Sequence, residues 1–250
     1  MRHFLEIAYR GTNYHGWQIQ ENAISVQEVL NKTLATIFNE EVKTLGSGRT
    51  DTGVHALQQF VQLDAPRPLS FLKDGHALNG LLPADISVNA IYEVPNGYHV
   101  RHDAIERSYL YRIIGKKDPF REDQAAHYPF ELDLGAMNKA AQFLFEPKDF
   151  ECFSKSNSGN DHFLCDIRTA EWGKNGDEIQ FKISSNRFLR GMVRAIVGTM
   201  LLIGQGKMNP GEFKDIIESK DRKRSGSAAL PEGLYLSGVQ YAEGKMKRID

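Results

Sequence analysis

The chain has 250 residues, 41% hydrophobic and 25% charged, with a net charge of −1. These ordinary values fit a soluble globular protein of one large domain or two of usual size, long enough to bury a core without disulfide or metal staples. The N-terminal MRHFLEIAYRGTNYHGW lacks the apolar run of a signal peptide, and no segment approaches the roughly 20 apolar residues of a membrane span.

From the start of the chain, HFLEIAYR alternates as a strand with one buried face does. Ser25 and Glu28 have capping-box spacing and open an amphipathic helix through VQEVLNKTLATIF. EVKTL reads as a short strand, GSGRTDTGVHA as a glycine-rich loop and ALQQFVQLD as a strand. LSFLKDGHALNGLL is helical up to Pro83, ISVNAIYEV is a strand, and Ile105 to Ile114 is another, ending in the turn GKKDP. In the second half LGAMNKAAQFLF is a helix, while FLCDIRTAEW and EIQFKISS are strands joined by the hairpin turn GKNGD. FLRGMVRAIVGTMLLIG is the most apolar helix; a shorter helix, GEFKDIIES, and a strand, GLYLSGVQY, complete the pattern. Strands and helices intermix without regular alternation, so an α+β fold with a mainly antiparallel sheet is expected. The expected division is residues 1–104 and 105–250, two halves sharing one sheet and forming one catalytic unit.

Charge is distributed unevenly. Ile179 to Gly211 contains Lys182, Arg187, Arg190, Arg194 and Lys207 but no Asp or Glu. ERSYLYRIIGKK mixes Arg107, Arg112, Lys116 and Lys117 with Tyr109 and Tyr111, and KDRKRSG holds four basic residues from Lys220 to Arg224. Together they suggest one basic face, which permits RNA binding despite the neutral total. Cys152 and Cys165 have neither CxxC spacing nor a disulfide framework, which fits a reducing cytoplasm; both read as small buried hydrophobes.

GSGRTDTGVHA, Gly46 to Ala56, is the densest chemical signal. Arg49 and Asp51 are two apart, so in extended chain both face one way. A carboxylate near a guanidinium stays ionised, available as a nucleophile rather than an acid. For an arbitrary Asp in such a loop, capping of backbone amides is the commoner role. GSGRTD fails the dinucleotide fingerprint because Asp51 stands where the third glycine belongs, and GQGKM fails the P-loop pattern. Asp51-Thr52-Gly53 matches the aspartic-protease triplet, but one copy would require a dimer to supply the second aspartate. The eight histidines are scattered; His99, His102 and Asp103 come nearest to a cluster and lack zinc-ligand spacing, so no metal is expected. His55 reads as a packing residue of the loop.

GRTDTGVHA closely resembles the catalytic motif of the tRNA pseudouridine synthase A family. YRGTNYHGWQIQ resembles that family's amino-terminal signature, and YHVRHDAIERSYLY resembles the stretch leading to its active-site tyrosine. FLRGMVRAIVGTMLLIG and PEGLYLSGVQY resemble its carboxy-terminal motifs. The five blocks stand in the family's order and span nearly the whole chain. Ser47, Thr52 and Leu110 occupy positions expected to vary, and SGSAALPEGLYL differs somewhat from the expected loop.

The resemblance implies a mainly antiparallel sheet built from two ferredoxin-like (RRM-like) halves, with helices on one face and a cleft between the halves. It implies isomerisation of uridine to pseudouridine at positions 38 to 40 of the tRNA anticodon stem-loop, by a homodimer without cofactor. Asp51 resembles the nucleophile, and Arg194 the basic residue paired with it. Tyr109 resembles the aromatic that stacks on the target base, and Arg49 the arginine near substrate phosphate. Arg101, Arg187 and Arg190 are further candidates for RNA contact. Two other functions compete with this one: a catalytically idle RNA-binding protein on the same fold, and a dimeric aspartic protease.

Overall fold

The alternating pattern of HFLEIAYR gives β1 (Arg2–Tyr9), in which Phe4, Leu5 and Ile7 are completely buried. The computed structural model describes residues 1–156, 159 and 161–250. After β1 come α1 (Val26–Phe38), β2 (Leu45–Gly46), β3 (His55–Asp64), α2 (His76–Leu81), β4 (Ile86–Glu93) and β5 (Ala104–Ile114). These are followed by β6 (Ala126–His127), α3 (Leu134–Ala141), β7 (Lys148–Asp149), β8 (Leu164–Cys165), β9 (Ile167–Asn175) and β10 (Glu178–Ser185). Last come α4 (Met192–Gly204), α5 (Pro210–Ser219), β11 (Leu234–Tyr241) and β12 (Lys247–Ile249). The fold is mixed α+β with mainly antiparallel pairing, as expected; β3–β11 and β5–β6 pair parallel. None of the described helices is long and apolar enough to cross a membrane.

The chain forms two compact units, Met1–Glu106 with Tyr235–Asp250, and Arg107–Leu234. In the first, the strands run β12-β4-β1-β3-β11, and β2 also pairs with β3. Helix α1 turns Val26, Leu30, Thr33 and Leu34 inward at helical spacing. Its Ser25 cap accepts the Glu28 amide, but the Glu28 carboxylate pairs with Lys32 rather than completing a capping box. The expected strand EVKTL contributes only Leu45. Side chains of α1 occupy Thr44 instead, Gln27 donating to its carbonyl and Asn31 accepting from its hydroxyl.

In the second unit β10 lies between β5 and β9, antiparallel to both. The expected strand FLCDIRTAEW is divided at Asp166. The side chain of Asn186 accepts the Asp166 amide, while Ser185 Oγ and the Asn186 amide donate to its carbonyl. Leu164–Cys165 pairs with Lys148–Asp149, and the ladder with β10 begins at Ile167. Helix α4 buries most of its residues, as its apolar sequence requires, but starts only after Gly191, whose φ of +72° closes the expected FLRG turn as non-helical chain. Asn209 and Glu212 form a full capping box on α5, with Pro210 at the first position. Cys152 and Cys165 are buried, as expected, and burial pushes both thiols up to about 12.

Gly198 of α4 has no room for a side chain: a Cβ there would lie 1.8 Å from the Ser227 carbonyl oxygen. Helix propensity alone favours Gly198→Ala by about 1 kcal/mol. The clash reverses the sign, and we expect a net loss of about 1–3 kcal/mol in urea unfolding; a gain would mean that the loop moves away freely.

Glu178, buried in β10, receives a forked bond from Arg112. That bond, aided by Gln180, holds its carboxyl below the usual 4.5. A depressed folded pKa contributes stability above about pH 4.5 that is lost as pH falls through the folded value. Glu178→Gln should therefore flatten the acid limb of a stability-versus-pH curve below pH 4.5; an unchanged limb would assign acid sensitivity elsewhere.

Candidate active site

The loop Ser47–Val54 joins β2 to β3 and carries Arg49, exposed, and Asp51, half-buried. Between them Thr50 is buried, its hydroxyl 2.8 Å from that of Tyr9 and its carbonyl accepting the Trp17 amide. Immediately after Asp51 the chain reverses: the Val54 amide donates to the Asp51 carbonyl, and Gly53, at φ +77°, donates to the carbonyl of Tyr14. At the mouth, Ser47 and Phe60 exchange two bonds. Backbone is thus pinned on both sides of the carboxylate.

The partner for three of these bonds is the stretch YRGTNYHGW. A Cβ on Gly11 would lie 2.0 Å from the Val54 carbonyl oxygen, and one on Gly16 2.3 Å from that of Thr50. Main chain lies directly on main chain, which glycine alone permits. The Gly11 amide also donates to His55 Nδ1, fixing that nitrogen as an acceptor. His55 is buried and stacks on Tyr235 with 4.6 Å between ring centres. It packs the loop, as the sequence suggested. Tyr14 in turn donates to Asp85, and burial followed by that bond raises its pKa, keeping the hydroxyl a donor.

In the second unit Tyr109 is a half-buried residue of β5, opposite Ile183 and edge-on to Phe188 at 5.1 Å. Tyr111, two residues on, has its side chain on the same side of the strand. It is buried and donates from its hydroxyl to the Leu230 carbonyl at 2.9 Å. Burial raises its pKa, so the phenol stays protonated.

Arg194 is half-buried in the first turn of α4, and its Nε donates to the Ala229 carbonyl at 2.7 Å. A cation in the first turn opposes the helix dipole. No acidic residue shares that turn. The position is electrostatically unfavourable unless an anion is met there. Tyr109 and Arg194 therefore belong to one unit, Asp51 and Arg49 to the other.

Of the further basic candidates, Arg190 is exposed, Arg101 is half-buried with its amide bonded to His99, and Arg187 contacts the His162 ring at 2.8 Å. Other members of the basic segments serve the fold: Arg112 pairs with Glu178, Lys220 with Asp149 at 2.9 Å, and Arg222 binds Ser225 and the Gly226 carbonyl. Residue-level reading missed Tyr9, Gly11, Gly16 and Thr50 as the frame of the Asp51 loop. The paired glycines of RGTNYHG were the available signal.

Gly16→Ala places a Cβ against Thr50 at a φ of +82°. Such strain is worth about 1–3 kcal/mol. We expect the unfolding midpoint to fall and the loop's amides to exchange faster; unchanged exchange at Thr50–Val54 would show that Gly16 does not hold the loop.

The description "tRNA pseudouridine synthase" belongs to the family model that matches residues 7–103 and 140–242. A tRNA pseudouridine synthase A from Bacteroides thetaiotaomicron is 43% identical over 245 residues, covering 97% of this chain and 91% of the relative. One from Bacteroides fragilis is 43% identical over 244 residues, covering 97% of each. Another, from Francisella tularensis subsp. novicida, is 39% identical over 250 residues, covering 98% of this chain and 96% of the relative. Similarity of this extent does not rest on the Asp-Thr-Gly triplet alone, and it displaces the aspartic-protease reading. The chain belongs to the tRNA pseudouridine synthase family.

Proposed function

We propose that the protein isomerises uridine to pseudouridine in tRNA, at positions 38 to 40 of the anticodon stem-loop, with Asp51 as nucleophile. The observation that carries this reading is the half-buried Asp51 on a loop whose backbone is fixed on both sides, in a chain of this family. The reaction breaks the N1–C1′ bond, turns the base and joins C5 to C1′, while C5 loses its hydrogen. No electrons are exchanged, so the chemistry asks for an anionic nucleophile, a surface for the base and a cation, with no redox partner.

Asp51 supplies the anion that attacks either the base at C6 or the sugar at C1′. Tyr109 offers an aromatic face, and stacking on it is worth about 1–3 kcal/mol per base, against the few kcal/mol that unstacking a nucleotide requires. Arg194 is the cation assigned to pair with the Asp51 carboxylate and to aim it. Arg49, Arg101, Arg187 and Arg190 are assigned to phosphate.

We read both units as ferredoxin-like halves contributing to one catalytic unit. The order β1-α1-β2-β3-α2-β4 with β4-β1-β3-β2 neighbours supports this in the first, and β5-α3-β9-β10-α4 with β5-β10-β9 in the second. A homodimer in the cytoplasm completes the proposal.

The test is tritium release from tRNA carrying 5-tritiated uridine. Wild type should release tritium and folded Asp51→Ala should not, while still binding tRNA. Binding without release by wild type would instead identify an idle RNA-binding protein. Arg194→Met should lose most activity; full activity would remove the ion pair from the mechanism. Binding should weaken steeply with salt, with log Kd linear in log salt concentration, and a flat response would discard the phosphate assignments.

A further inference from the structure

The loop from Ser225 to Leu230 is held as a bracket from several sides. Gly226 donates its amide to Thr199 Oγ1 of α4 at 2.8 Å, and Ser225 Oγ donates to the Cys152 carbonyl at 2.8 Å. Ser227 lies so close to Gly198 that no Cβ fits between them. Ala229 makes a two-way tie to Arg194: its amide donates to the Arg194 carbonyl at 2.9 Å, and its own carbonyl accepts Arg194 Nε at 2.7 Å. The next carbonyl, that of Leu230, accepts the hydroxyl of Tyr111. The Tyr111 ring then packs on Gly233, where a Cβ would come within 2.7 Å of Cζ.

Adjacent carbonyls of one bracket thus hold the Arg194 guanidinium and the Tyr111 hydroxyl. Tyr111 stands on β5 two residues from Tyr109, on the same side of the strand. We propose that Tyr111 is a positioning residue: through the bracket it fixes the Arg194 guanidinium relative to the strand that carries Tyr109. The proposal rests on the reading of Arg194 as part of the reaction.

The test is Tyr111→Phe, which removes one oxygen and leaves the ring on Gly233. Steady-state tritium release from unmodified tRNA should show kcat per folded molecule down ~10- to 100-fold with KM nearly unchanged, the penalty of a misplaced group. Arg194→Lys has no Nε and lacks the tie to Ala229. In that slow background Tyr111→Phe should cause no further loss, because groups acting as one unit are not additive. Equal losses in both backgrounds, or a raised KM at unchanged kcat, would overturn the proposal. A slow Arg194→Lys beside a fully active Tyr111→Phe sinks this inference alone, whereas a fully active Arg194→Lys sinks the role of Arg194 as well. Should Tyr111→Phe fail to fold, the near-isosteric Thr199→Val cuts the bond to Gly226 at the other end of the bracket. The same pattern is expected from it, and wild-type kcat there would equally overturn the proposal.

Discussion

The placement of Asp51 depends on two stretches of main chain lying in van der Waals contact. Gly11 and Gly16 sit on the carbonyls of Val54 and Thr50, with no space for a methyl group at either point. Several other contacts of the loop accompany that approach. It brings Trp17 and Tyr14 within bonding distance of Thr50 and Gly53, and it lets the Gly11 amide reach His55. A carboxylate on a free loop would spread over many orientations. Here the loop's backbone groups are largely committed, so its entropy is lost on folding and not on meeting substrate.

The second unit handles charge in a comparable way. Many of its basic residues are spent on internal partners, Arg112 on Glu178 and Lys220 on Asp149 among them. Arg194 stands in the first turn of α4, where the helix dipole disfavours a cation, and the Ala229 carbonyl accepts its Nε and helps to orient it.

Sequence periodicity was sufficient for most elements because their burial follows it. The strand HFLEIAYR, the helix at Ser25 and the apolar helix α4 lie where their patterns place them. The failures share a cause. EVKTL and FLCDIRTAEW have strand composition, but Gln27 and Asn186 occupy backbone groups a ladder would use. Such side-chain competition is long-range in sequence and invisible to local pattern. The lysine- and arginine-rich KMKRID is the opposite case. It looks like a solvated tail, yet Lys247–Ile249 forms β12 on β4. The candidate site divides in a similar way. Asp51, Tyr109 and Arg194 stand out through motifs, whereas the contacts of Gly11, Gly16 and Tyr111 are with carbonyls far away in the chain.

The return of the chain's last segment to its first unit has a consequence for biosynthesis. Strands β11 and β12 pair with β3 and β4, and Tyr241 bonds the Val100 carbonyl within the same aromatic cluster as Phe4 and Phe60. During translation the segment Arg107–Leu234 leaves the ribosome whole while the earlier unit still waits for its final two strands. The part synthesised first is therefore completed only after the segment that follows it, and it carries an unpaired strand edge until β11 and β12 emerge. The charged residues of β12 then fall on that edge, where they discourage pairing with a second nascent chain.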